Sequence, residues 1–178
     1  DSVHPNDVGH AYTGKLLASL LDRALASLPA TPVPAATSDL PPALLTDIYQ
    51  FTRLLEAEDL KPLTSEGWAY DASNAWAKAW MANVPGSILE FEITGEQLFI
   101  SYWRIRGAMG RARLTIDGAQ PSVQEAWFDQ TWGGYRHMIQ LPTGGPGKHR
   151  VRFELLPEKH PESTGTEFRL VCVGMAGN

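Results

Sequence analysis

Asp1 and His4 stand at the start of the chain, in the string "DSVHPNDVGH", a carboxylate and an imidazole three residues apart. Such a pair can move a proton. The carboxylate accepts from one ring nitrogen and fixes the tautomer, which leaves the other nitrogen as a base. Two further readings fit the same letters. Asp, Asn and Pro ahead of a helix serve as helix-start residues on their own account. His4 and His10 would be metal ligands, but they are six apart, and no helical face brings that spacing together. Neither a metal nor a cofactor is expected.

A second kind of chemistry is written in "WFDQTWGGYR", Trp127 to Arg136. Trp127, Trp132 and Tyr135 offer flat faces that stack on sugar rings. Asp129, Gln130 and Arg136 can hydrogen-bond hydroxyls. Gly133 and Gly134 let the backbone turn beside a ligand. Trp127 and Phe128 also read as core. The candidate carbohydrate-binding residues are therefore Asp129, Trp132, Tyr135 and Arg136. A third stretch, "YWRIRGAMGRAR", places Arg104, Arg106, Arg111 and Arg113 at strand-like spacing, as the basic face of one hairpin. Its arginines would pair with acids such as Glu90 and Glu92, or grip a carboxylate with paired guanidiniums.

The elements that must carry these residues fall into three segments. After Pro5, Asn6 or Asp7 caps a helix in which Val8, Tyr12, Leu16 and Leu20 recur every four residues, widened by Leu17, Leu21, Leu25 and Leu28. An amphipathic helix owes its stability to what covers it, so the stripe is expected to be buried. "PATPVPAATSDLPP", with five prolines, reads as a stiff extended linker. "LLTDIYQFTRLLEAEDL" has helical composition, with strand formers inside it, and is read as a helix. Trp76 and Trp80, four apart, would share a helical face. From Ser87 the period becomes two, in "SILEFEI", "QLFISYWRI", "RARLTID", "SVQEAWF", "YRHMIQL", "HRVRFELL" and "EFRLVCV". "DGAQP" supplies an Asp-Gly hairpin turn. Short alternating strands between Gly and Pro turns indicate a mainly β fold, an antiparallel β-sandwich of jelly-roll or galactose-binding-like type, behind one long amphipathic helix and a Pro-rich linker.

Composition narrows the partners. The 178 residues are 43% hydrophobic and 20% charged, enough for a packed core. A net charge of −5 argues against a nucleic-acid partner. No stretch approaches a membrane span, so no membrane partner is expected. The single cysteine, Cys172, excludes an internal disulfide, and its apolar run reads as a buried thiol.

The run Asp1-Ser2-Val3-His4-Pro5-Asn6-Asp7-Val8-Gly9-His10 closely resembles the last catalytic block of the SGNH, or GDSL-type, hydrolases, an Asp-x-x-His followed by the final helix of an α/β/α domain. The resemblance implies Asp1 as the acid and His4 as the base of a triad. Its serine would lie outside this chain, since "GDS" occurs nowhere in it and neither do the oxyanion-hole blocks. Residues 1–29 would then be the tail of a catalytic domain, 30–42 a linker and 43–178 an accessory domain. That last part, with "GWAYD", "PGSILEFEI", "WFDQTWGGYR", "GKHRVRFELL" and "ESTGTEFRL", is similar to the β-sandwich that follows the catalytic domain in some two-domain SGNH esterases. Thr166 stands where a family string resembling "STGHEF" has His. The resemblance implies a serine esterase, such as a carbohydrate O-deacetylase. Its expected partners are a missing N-terminal catalytic half and a carbohydrate ester or glycan. This chain alone would be inactive. The alternative is a non-catalytic carbohydrate-binding or structural β-sandwich module.

Overall fold

A computed structural model describes residues 4–28, 42–73 and 78–177. Asp1, the linker from 30 to 41 and Trp76 lie outside the described residues. The chain divides into two compact units, Asp1–Pro42 and Ala43–Asn178.

The first unit holds one helix, α1 (Asp7–Ala26). Asn6 caps it, its side-chain oxygen accepting from the Gly9 N–H at 2.9 Å, and Asp7 in the first turn and Arg23 in the last complement the helix dipole. The expected burial of its apolar stripe is not met. None of its residues is buried, and Leu17, Leu21 and Leu25 are 56%, 62% and 63% exposed. Propensity and capping form the helix, and within its own unit the leucines stay open to solvent.

The second unit is a β-sandwich. A single 3-10 turn (Ile48–Gln50) precedes β1 (Thr52–Glu56), β2 (Thr64–Glu66), β3 (Ala69–Asp71), β4 (Ala79–Ala82), β5 (Ile88–Thr94), β6 (Gln97–Ile105), β7 (Arg111–Ile116), β8 (Ser122–Glu125), β9 (Gly134–Pro142), β10 (Lys148–Leu155) and β11 (Phe168–Ala176). One sheet runs β3-β4-β11-β6-β9, with β1 also on β11; the other runs β2-β5-β10-β7-β8. Every pairing between these strands is antiparallel. The period-2 pattern builds the core directly. Leu89, Phe91 and Ile93 of β5 and Val151, Phe153 and Leu155 of β10 face Leu98, Ile100 and Tyr102 of β6 and Phe168, Leu170 and Val173 of β11.

Three expectations are corrected here. The stretch read as a helix after Pro42 is the 3-10 turn and β1, because β11 offers it a strand edge: Thr52 to Glu56 pair with Ala176 to Cys172. Trp80 lies on strand β4, not on a helical face. The four arginines do not share a hairpin. β6 and β7 belong to different sheets, and β7 pairs with β10 and β8 instead. Arg111 therefore bonds Glu125 at 2.6 Å and Arg113 bonds Glu154 at 3.1 Å. Glu90 instead lies near Arg150 and Arg152, and Glu92 bonds Lys148. Cys172, in turn, is half-buried, and burial pushes its thiol up from the usual range.

The Asp-Gly turn closes β7 onto β8. Asp117 and Gly118 have φ of 51° and 69°, and the Ala119 N–H donates to the Ile116 carbonyl at 2.9 Å. Asp117 is also a tie-point. Its carboxylate accepts from the Arg150 N–H at 2.7 Å and meets His149 Nδ1 at 2.7 Å. The Arg150 N–H first, then His149, hold its carboxyl below the usual range. A lowered carboxyl pKa adds stability above its unfolded value, and that stability is lost as pH falls through the folded value. Asp117→Asn, which tolerates the positive φ, should thus lower Tm at pH 7 and lose its effect as pH falls through the lowered carboxyl range. A Tm difference that stays constant from pH 7 to pH 2 would refute this.

Candidate functional site

The loops that follow β6, β8 and β10 meet at one end of the sandwich. Residues 126–128 run beside the end of β6: the Ile105 N–H donates to the Ala126 carbonyl at 3.1 Å and the Phe128 N–H to the Ile105 carbonyl at 3.3 Å. Trp127 is buried, 5% exposed, and its ring stacks on His160 at 3.7 Å. The loop before β11 is pinned by Ser163, whose hydroxyl donates to the Met109 carbonyl at 2.6 Å. Arg106 reaches Glu162 at 3.3 Å and the Asp129 carbonyl at 3.4 Å. Gly134 starts β9 hard against β6, where a Cβ would meet the Arg104 carbonyl oxygen at 2.5 Å.

An aromatic cluster stands on this base. Phe128 lies edge-on to Trp132 and Tyr135, with centroids 5.1 and 5.0 Å away. Trp132 and Tyr135 are 6.5 Å apart, and Trp132 is 65% exposed. Arg104 lies beneath the rings, 6.0 Å from the Phe128 centroid and 5.9 Å from that of Tyr135. It donates to the Tyr135 hydroxyl at 3.2 Å and to the Trp127 carbonyl at 3.0 Å. His137 Nδ1 lies 3.4 Å from the same hydroxyl, and burial, with the Arg104 charge, holds its imidazole below the usual range. An exposed indole above a cation and a phenol can stack on an apolar ring face and bond its hydroxyls.

The expected residues are distributed unevenly around this cluster. Trp132 and Tyr135 come together, with Asp129 exposed in the same loop. Arg136 does not join them. Adjacent strand residues point to opposite faces, so Arg136 pairs with Trp103 on the far side of the sheet, its guanidinium 5.8 Å from that ring. There it lines a groove of about 250 Å³ with Glu56, Ala57, Glu58 and Lys78. Phe128 and His137 were missed as site residues, and Arg104 was read only as part of a basic hairpin face. The signal for Arg104 was its parity with Tyr102, an inward position, but its facing partner Tyr135 is 31 residues away. A larger cleft of about 530 Å³, at Arg53, Leu55, Glu92, Ile93 and Met175, holds no comparable cluster of rings. In the first unit His4 is exposed ahead of α1. Among the described residues, no three His, Cys, Asp or Glu side chains gather as metal ligands.

No protein-family profile matches the chain, and no curated protein matches its sequence. Solved structures do match in shape. A two-domain esterase active on acetylated mannans has 23% identity and a TM-score of 0.80 over 100% of this chain and 49% of its own. Its crystal structure with mannopentaose scores 0.75, covering 98% and 47%. A family two carbohydrate esterase from Cellvibrio japonicus scores 0.52 at 15% identity, covering 71% of this chain and 34% of its own. The chain thus spans about half the length of the two-domain esterase, and at these identities what it shares with these carbohydrate esterases is their fold.

Proposed function

We propose that residues 43–178 form a glycan-binding accessory domain of a serine esterase of SGNH type, a carbohydrate O-deacetylase. Residues 1–29 then belong to the end of its catalytic domain, with Asp1 as the acid and His4 as the base. The missing half supplies the serine. Three observations support the reading: the Asp-x-x-His block, an apolar leucine stripe on α1 that a catalytic domain would bury, and fold likeness to a two-domain esterase over about half its length. The observation that carries the binding role is the exposed Trp132 beside Tyr135 over Arg104. A sugar ring stacks on Trp132, and Tyr135 and Asp129 bond its hydroxyls, with Arg104 holding Tyr135 from below. Held there, a polysaccharide is concentrated near the esterase centre. Arg136, on the opposite face of the sheet, lies outside this glycan site.

The test is calorimetric titration with mannopentaose and with xylan, pectin and chitin oligomers. Trp132→Ala should weaken binding by at least about tenfold, as losing one stacked ring does, and should leave Tm within about 2 °C because the indole is mostly exposed. Absence of binding to every glycan, with loss of folding on Trp132→Ala, would make the rings a structural or interdomain feature.

A further inference from the structure

The base of the aromatic cluster holds a hydrogen-bond chain with one fixed end. Arg104 donates from Nη1 to the Tyr135 oxygen at 3.2 Å, and a guanidinium has no acceptor. The Tyr135 oxygen therefore accepts there, which leaves its own proton available to its other neighbour. That neighbour is His137 Nδ1, 3.4 Å away. Tyr135 and His137 are two apart on β9 and share one face, opposite Arg104 and Tyr102 of β6. For Nδ1 to receive the Tyr135 proton it must keep its lone pair, and the ring proton must sit on Nε2.

We propose that Arg104 and His137 are positioning residues that clamp Tyr135 from both sides, so that the cluster holds its glycan only while His137 is neutral with its proton on Nε2. The proposal rests on the glycan-binding reading above and names what regulates that site. The groups around the imidazole agree with it. Arg104 is the cation that faces the ring from β6. Tyr102, also on β6, meets it edge-on at 5.3 Å and donates to Gln124 of β8 at 3.5 Å. Burial pushes Tyr102 up to about 12, so it stays neutral. Beyond it, Glu125 of β8 is bound to Arg111 of β7 at 2.6 Å. Burial and the Arg104 charge both favour neutral His137. Below its folded pKa the ring gains a proton on Nδ1, which confronts the Tyr135 O–H and places a second cation beside Arg104. The hydroxyl must turn away and the clamp opens. Binding is then constant at higher pH and falls by up to about tenfold per pH unit below that point.

The test measures mannopentaose affinity by calorimetry from pH 4.5 to 7.5 for wild type and His137→Asn, whose Oδ1 stands in for Nδ1 and does not titrate. Imidazole 15N shifts of the free protein report the tautomer. Expected are an Nε2–H tautomer at pH 7.5, wild-type affinity that falls by up to about tenfold per pH unit below the His137 titration reported by the same shifts, and a flat profile for His137→Asn. An Nδ1–H tautomer at pH 7.5, a flat wild-type profile, or an equal acid loss in His137→Asn overturns the clamp. Should mannopentaose fail to bind at every pH, the glycan reading falls separately. The clamp is then decided by the tautomer and the Tyr135 ring-proton shifts: Nε2–H with shifts that follow the His137 titration upholds it, and Nδ1–H or pH-independent shifts reject it.

Discussion

Incubated with p-nitrophenyl acetate, the purified 178-residue chain should show no saturable hydrolysis, and His4→Ala should leave the background rate unchanged. The reason lies in the division of labour in a triad. A base and its orienting acid activate a nucleophile but do not replace one, and the oxyanion donors carry much of the remaining rate. The chain resembles only the acid–base block, with no serine block of that family. In the longer native protein that this reading proposes, which would carry the serine, His4→Ala should lower kcat on the order of 10⁴- to 10⁶-fold, because triad members act as a unit. Native protein with an intact mass equal to this chain, or saturable hydrolysis by the chain that His4→Ala removes, would defeat the assignment.

Phe153→Ala should produce the second large effect, a loss of about 3–5 kcal/mol. Phe153 is fully buried on β10, the central strand of its sheet. Its ring lies about 6 Å from three others: Trp68 edge-on at 6.2 Å, Phe91 stacked at 6.2 Å and Phe168 at 6.1 Å. Phe168 belongs to the opposite sheet, so the ring joins both layers. Removing it deletes apolar burial and opens a cavity that paired strands on both sides cannot close. Urea denaturation should show a lower midpoint with an unchanged slope, and Tm should fall by roughly 10–20 °C. A loss under about 1 kcal/mol would mean that the two sheets are not packed as described.

The sequence by itself determined the local elements of this protein. Helix α1 follows from a capped four-residue repeat, and β5, β6, β7, β10 and β11 follow from alternation, because helix and strand periods are set by backbone geometry within a few residues. Period two also separates Tyr135 from Arg136, so that division was within reach of the letters. The tertiary structure alone decided which strands became neighbours. β5 and β6 are joined through Gly95 and Glu96 yet lie in different sheets, β1 took the edge of β11 where composition favoured a helix, and Arg104 met Tyr135 across 31 residues. Local periodicity is silent on these choices. A strand's two edges offer equivalent hydrogen-bonding groups to many partners, and selection among them comes from burying Phe91, Phe153 and Phe168 together, a gain that exists only after the intervening loops have closed. The candidate site inherits that non-locality: its rings are spelled out in one short stretch, while the cation beneath them comes from a strand that only the folded sheet places there.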